Sequence, residues 1–227
     1  MRDYAAMVDM LCAHFDSQTR NALGYRRCRV HVVGSNESYY VKALCKKLSS
    51  LGIEVVQHYP QLRTWVLGHR EPVIYDTDDK SIRTTFLRGL QDVDAINNAE
   101  GTSSCAYAIY RLLNEAGLIA GKNITIIGRG HAVQNLHNLL IRGDATVTVC
   151  HSKTQEVTAH CDLADVVIVA APNIGVPIYA DELILDISGA AKHYARPKYG
   201  TGACDYFDKI GKLTLSILAM WCARDAE

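Results

Sequence analysis

The sequence predicts an α/β protein built on parallel sheets, and three observations carry that prediction. Short, nearly continuous apolar runs read as strands buried on both faces. The clearest of them run into glycine-bearing turns and then into segments with apolar residues at helical spacing. This strand–helix–strand succession occurs in both halves of the chain, and it is the pattern of parallel sheets covered by helices.

The elements follow in order. Met7, Met10, Leu11 and Phe15 fall at helical spacing and predict a helix over 4–21. Arg29 to Val33 alternates like a strand and ends at Gly34. Residues 38–51 then read as a helix closed by Gly52, with the next strand at 53–56 and a short third at 64–67. The stretch 70–80 is polar, with Pro72 and an acidic cluster at Asp76, Asp78 and Asp79, and is expected to be a loop. A short helix is expected at 81–90. Residues 92–100 are polar and turn-rich, which places a domain junction there. A long helix over 104–116 closes at Gly117. The second half then gives a strand at 123–127, a turn at Gly128–His131, a helix at 132–141 and a strand at 145–150. Further strands follow at 165–170 and 183–187, then an apolar helix at 213–223.

Composition excludes several classes. Lys plus Arg equals Asp plus Glu, at 24 each, so nothing favours nucleic acid or an anionic membrane. No apolar run reaches the roughly 18 residues of a membrane span. The start of the chain lacks the basic-then-apolar pattern of a signal peptide, and a cytosolic protein is expected. The eight cysteines contain no C-x-x-C pair and read as reduced thiols, most of them buried. His151, His160 and His193 lack metal-ligand spacing with them, so no metal is expected.

The segment Gly128-Arg129-Gly130-His131 lies between a predicted strand and a predicted helix. Glycines there let backbone N–H groups approach a pyrophosphate, as in a Rossmann-like dinucleotide site. Only G-x-G is matched, since Val133 stands where a third glycine would be; an ordinary strand-to-helix turn is the alternative. The following strand ends in Cys150-His151-Ser152-Lys153-Thr154. Sites for NAD place an acid there to hold the ribose 2′-hydroxyl, whereas hydroxyls and positive charge suit a 2′-phosphate. NADP is therefore the expected cofactor, with Arg129 and Ser152 contacting the extra phosphate. Simple turn capping is the alternative role for Ser152 and Thr154.

Gly121 to Val133, Ala145 to Thr154 and Ala164 to Ala171 together resemble the bifunctional methylenetetrahydrofolate dehydrogenase/cyclohydrolases. Those carry a G-K-x-x-x-V-I-G-R-S turn and an A-T-V-T-x-C-H-S-x-T strand end. Val32 to Val41 resembles the family's V-G-x-x-x-x-S-x-x-Y-V segment, two residues shorter, and Gln91 to Ile96 resembles K-D-V-D-G-F. The resemblance implies two α/β domains with a folate-binding cleft between them and usually a homodimer. The expected division is 1–100 for the folate side, 101–205 for the Rossmann-like domain, and a C-terminal helix, 206–227, packed back on the first. It implies cofactor contacts at Gly128, Arg129, Gly130, His131, His151, Ser152, Thr154 and Ala171. It also implies folate-side roles for Tyr40 and Asp94.

Where this chain departs from the family matters as much. The family's mechanism implies a lysine four residues after the motif tyrosine, on the same helix face. Here that tyrosine is Tyr40 and the residue is Leu44, which has no acid–base chemistry. Lys42 and Lys46 flank it on other faces of the helix. The C-T-P-x-G loop reads Ser104 to Ala108, the Q-L-P-L-P strand end has no counterpart near 67–72, and the P-V-P-G-G-V-G-P-M-T loop is represented by Lys209 to Thr214. The expectation is an NADP-dependent methylenetetrahydrofolate dehydrogenase with doubtful cyclohydrolase activity. The alternatives are a nucleotide-binding relative without folate turnover and an enzyme acting on another small substrate.

Overall fold

The structure is a computed structural model. It describes residues 2–24, 26–35, 37–58, 71–76, 91–95, 100–195 and 204–225. The strand expected at 64–67 and the helix expected at 81–90 lie outside the described residues. The chain divides into two compact units. A flanking unit comprises Met10–Ser104 and Lys212–Glu227; a central unit comprises Met1–Asp9 and Cys105–Gly211.

The flanking unit is a four-stranded, all-parallel sheet in the order β2-β1-β3-β4. Its strands are β1 (Arg29–Gly34), β2 (Glu54–His58), β3 (Pro72–Asp76) and β4 (Gln91–Asp92). Helix α1 (Tyr4–Leu23) precedes β1, and α2 (Tyr39–Ser50) crosses from β1 to β2. Ser38 caps α2, its Oγ accepting the Val41 N–H at 3.3 Å. Val41, Leu44 and Leu48 form the buried stripe of α2. They share one core cluster with Val30, Val32 and Ile74 and with Leu218, Ala219 and Cys222 of the C-terminal helix. Every residue of β1 after Arg29 is buried, so β1 is covered on both faces rather than half-exposed.

The reading of 70–80 as a loop is corrected by β3. Val73 and Ile74 are buried centrally, and β3 pairs with β1 in the register His31↔Val73 to Gly34↔Asp76. Pro72 and the acids masked a short apolar run. Pro72 sits at the first residue of the strand, where a missing N–H is tolerated.

The central unit is a five-stranded parallel sheet in the order β6-β5-β7-β8-β9. Its strands are β5 (Asn123–Ile127), β6 (Thr146–Cys150), β7 (Val166–Val169), β8 (Leu183–Asp186) and β9 (Asp205–Phe207). Helices α3 (Ser104–Glu115), α4 (Leu136–Arg142) and α5 (Val157–Asp162) connect or precede them. β7 and β8 are buried along their whole length, as parallel strands inside a covered sheet should be. The sequence did not signal β9 or α5; both are too short for a periodic pattern. The C-terminal helix α6 (Gly211–Asp225) completes the chain. All eight cysteines are free thiols, four of them buried (Cys28, Cys150, Cys161, Cys222) and four partly exposed.

Each sheet has one place where the chain reverses its direction of winding. In the flanking unit β2 lies on one side of β1 and β3 on the other; in the central unit β6 lies on one side of β5 and β7 on the other. Ligands of open α/β sheets bind outside the carboxyl ends of the strands at such points.

Candidate functional site

In the central unit the reversal falls at Gly128, the residue after β5. Its φ is +115°, a conformation that disfavours any side chain, and a Cβ there would meet Ala170 C and Ala171 N at 3.1 Å each. The Gly128 N–H donates to Cys150 O at 2.8 Å, while the Ala170 N–H donates to Ile127 O at 2.8 Å. Gly128, the end of β6 and the end of β7 are thus tied together at one sheet edge. Gly130 differs: a Cβ there would meet nothing within 4 Å. The space beside it is open, as a phosphate cradle requires.

The helix does not open directly on the glycine turn as the sequence suggested. A 3-10 turn at His131–Val133 comes first, then Asn135 in the left-handed region (φ 62°), and α4 starts only at Leu136. The cause is local. Val133 and Leu136 are both buried, and Gln134 and Asn135 must link them through a reversal. His131 Nδ1 lies 3.3 Å from Gln134 Oε1. The backbone N–H groups offered to a ligand are therefore those of a loop rather than of a helix end.

The end of β6 forms a closed four-residue turn. The His151 N–H donates to Thr154 Oγ1 at 2.9 Å, the Thr154 N–H to His151 O at 2.8 Å, and the Lys153 N–H to His151 Nδ1 at 3.1 Å. His151 and Thr154 brace the turn with these bonds. Ser152 and Lys153 are exposed on it, as are Arg129 and Gly130 on the neighbouring turn. The pairing Ile127↔Cys150 sets the two turns side by side. Arg129, Ser152 and Lys153 are what this edge presents, with no acid between His151 and Thr154. Ala171 is half-buried at the end of β7, against Gly128.

The flanking-unit candidates sit in different surroundings. Tyr40 is half-buried, packed against the core cluster. Leu44 is fully buried inside that cluster, so its side chain faces core partners. Asp94 is also buried, and its Oδ1 accepts the Ser104 N–H at 2.7 Å, anchoring the start of α3. Sequence reading missed Asp76, which ends β3 beside Gly34 and accepts the Ser38 hydroxyl at 2.7 Å. The apolar triplet Val73–Tyr75 just ahead of it was the available signal.

Sequence reading also missed Asp186, at the end of β8. Its Oδ1 accepts Ser188 N and Gly189 N at 3.0 Å each and Ser188 Oγ at 2.8 Å. Its Oδ2 accepts Ala191 N and the Tyr206 hydroxyl at 2.8 Å each. Burial alone would raise this carboxyl, yet the donated bonds hold it below its ordinary value. It fixes the loop after β8 and ties β9 to it.

Three comparisons bear on this geometry. Residues 103–184 match the family model for the NAD(P)-binding domain of tetrahydrofolate dehydrogenase/cyclohydrolase. The bifunctional protein FolD of Aliarcobacter butzleri is 38% identical over 174 residues, covering 63% of this chain and 59% of that protein. The bifunctional protein FolD of Thermosipho melanesiensis is 41% identical over 143 residues, covering 54% of this chain and 50% of that protein. Over residues 103–184 the chain is similar to the NAD(P)-binding domain of that family, and over a longer stretch to the FolD proteins. It spans about three-fifths of the length of the first of these relatives, at 59%. Solved structures share the fold. The FolD methylenetetrahydrofolate dehydrogenase/cyclohydrolase of Campylobacter jejuni has a TM-score of 0.71 at 16% identity, with 99% of this chain and 97% of that one covered. The Trypanosoma brucei enzyme of the same name, complexed with NADP cofactor and inhibitor, has a TM-score of 0.68 at 16% identity, with 99% and 96% covered.

Proposed function

We propose that the chain is an NADP-dependent oxidoreductase of one-carbon folate metabolism, a methylenetetrahydrofolate dehydrogenase without cyclohydrolase activity. The observation that carries the nucleotide half is the Gly128 turn, closed by Ala170 and Ala171 on one side and open at Gly130 on the other. In this reading Gly128 and Gly130 let the backbone reach the pyrophosphate, with His131 at the same turn. Arg129, Ser152 and Lys153 hold the 2′-phosphate by charge and hydroxyl donation, and the His151–Thr154 bonds keep that turn in shape. Bound NADP would accept a hydride from the methylene carbon of 5,10-methylenetetrahydrofolate, leaving methenyltetrahydrofolate. Such a step needs mainly that the two partners be positioned. Tyr40 and Asp94 are the proposed folate-side contacts.

Hydrolysis of the methenyl product needs a group that exchanges protons, and the position where this family's pattern expects lysine holds a core leucine. The same observation supports a second reading, a nucleotide-binding relative without folate turnover. Family resemblance supports a homodimer and a cytosolic setting. Methylenetetrahydrofolate and NADP are mixed with the protein and methenyl absorbance is followed. A rate proportional to protein supports the dehydrogenase; NADP binding with no rate above buffer selects the second reading.

A further inference from the structure

On the flanking unit, a small cavity of about 280 Å3 is lined by Val93, Thr102, Trp221 and Arg224. Among the described residues its wall combines an apolar surface, a hydroxyl, an indole and a guanidinium. Arg224 stands in the last turn of α6, where its Nη1 lies 4.0 Å from Met220 Sδ. Among the described residues no carboxylate pairs with it. An exposed guanidinium fork that shares this wall with an indole, and that pairs with no acid among the described residues, is suited to a planar oxyanion.

We infer that this cavity is a binding site for a small planar carboxylate. The ring of the ligand lies against the Trp221 indole and Val93, and its carboxylate takes paired N–H donors from Arg224 and the hydroxyl of Thr102. The space equals that of about nine liquid waters, room for a monocyclic aryl acid and too little for a dinucleotide. The assignment is independent of the NADP reading, since none of the described lining residues belongs to the Gly128 edge.

The test uses the full chain, labelled with 15N, and benzoate as probe. The Trp221 indole signal is identified by its loss in Trp221→Phe; the chain's other tryptophan, Trp65, supplies the reference. Benzoate is expected to shift the Trp221 signal saturably, with a Kd of about 1 mM or tighter. Arg224→Gln is expected to weaken it about tenfold while the melting temperature stays within about 2 °C. Thr102→Val is expected to weaken it by a smaller factor. No saturable shift, or an equal shift in Arg224→Gln, overturns the site. Inorganic phosphate binding as tightly as benzoate overturns the requirement for a planar ring.

Discussion

The two units solve the same topological problem with different chemistry at the end of the solution. Each places a glycine at the carboxyl end of its central strand, where the winding reverses. At Gly34 a Cβ would meet Val41 Cγ2 at 2.7 Å and Asp76 at 3.2 Å; at Gly128 it would meet Ala170 and Ala171 at 3.1 Å. The strand ends around Gly128 offer arginine, serine and lysine to the outside. Those around Gly34 offer Asp76, bonded to Ser38, and Asp94, bonded to α3, while Leu44 turns into the core. Topology therefore marks where a ligand can sit in both units. Only side-chain chemistry says which unit still offers a phosphate a place.

The largest effect should come from breaking the close approach in the central unit. Gly128→Ala forces a side chain into positive φ and against backbone, and should cost about 2–4 kcal/mol in chemical denaturation. Gly130→Ala, facing open space, should stay within about 0.5 kcal/mol. Equal effects would mean that the turn is not built as described. In the flanking unit, Leu44→Lys should cost about 2–4 kcal/mol by burying an unpaired ammonium in place of a core leucine. It should yield no methenyltetrahydrofolate hydrolysis. A hydrolytic gain would show that position 44 faces a ligand and would dissolve the contrast.

Asp186 ranks next. Asp186→Asn loses charge-assisted bonds worth about 1.5–3 kcal/mol each before the surroundings relax, and the variant should be destabilised on that order. A depressed carboxyl contributes stability that is present above its unfolded value near 3.8 and lost as pH falls through its folded value. Wild-type melting temperature should thus fall below about pH 4 more steeply than that of Asp186→Asn. Ser152→Asp should have a smaller effect, weakening NADP about tenfold with little change in NAD binding, read by titration calorimetry. Smallest is a difference in thiol reactivity. Burial pushes the Cys161 thiol up to about 12 and Cys28 up to about 11. A disulfide reagent at pH 8 should therefore label the partly exposed Cys12 and Cys105 first, as mass spectrometry of quenched samples would show.

How much of this was legible in the sequence follows from the kind of signal each part leaves. Runs such as Asn123–Ile127 and Val166–Val169 are apolar because both faces of the sheet are covered, and that pattern survives without a structure. The strand Pro72–Asp76 was hidden because a strand-leading proline and flanking acids look like loop composition. Helix α4 was placed too early because periodicity does not register the left-handed Asn135. At the candidate site, residue types at the ends of β5 and β6 spoke for themselves. Asp186 did not, since its importance lies in donors from 188, 189, 191 and 206 that only folding brings to it. The burial of Leu44 was not legible either, because helical spacing marks a stripe but not what covers it.

The central claim is that the edge formed by Arg129, Gly130 and the His151–Thr154 turn grips a phosphorylated nicotinamide nucleotide. Titration calorimetry of the full chain with NADP and, separately, NAD tests it most directly. The account predicts saturable heat with NADP at a Kd of about 100 µM or tighter, and binding of NAD at least about tenfold weaker. No heat with either nucleotide, or NAD bound the more tightly, would contradict it.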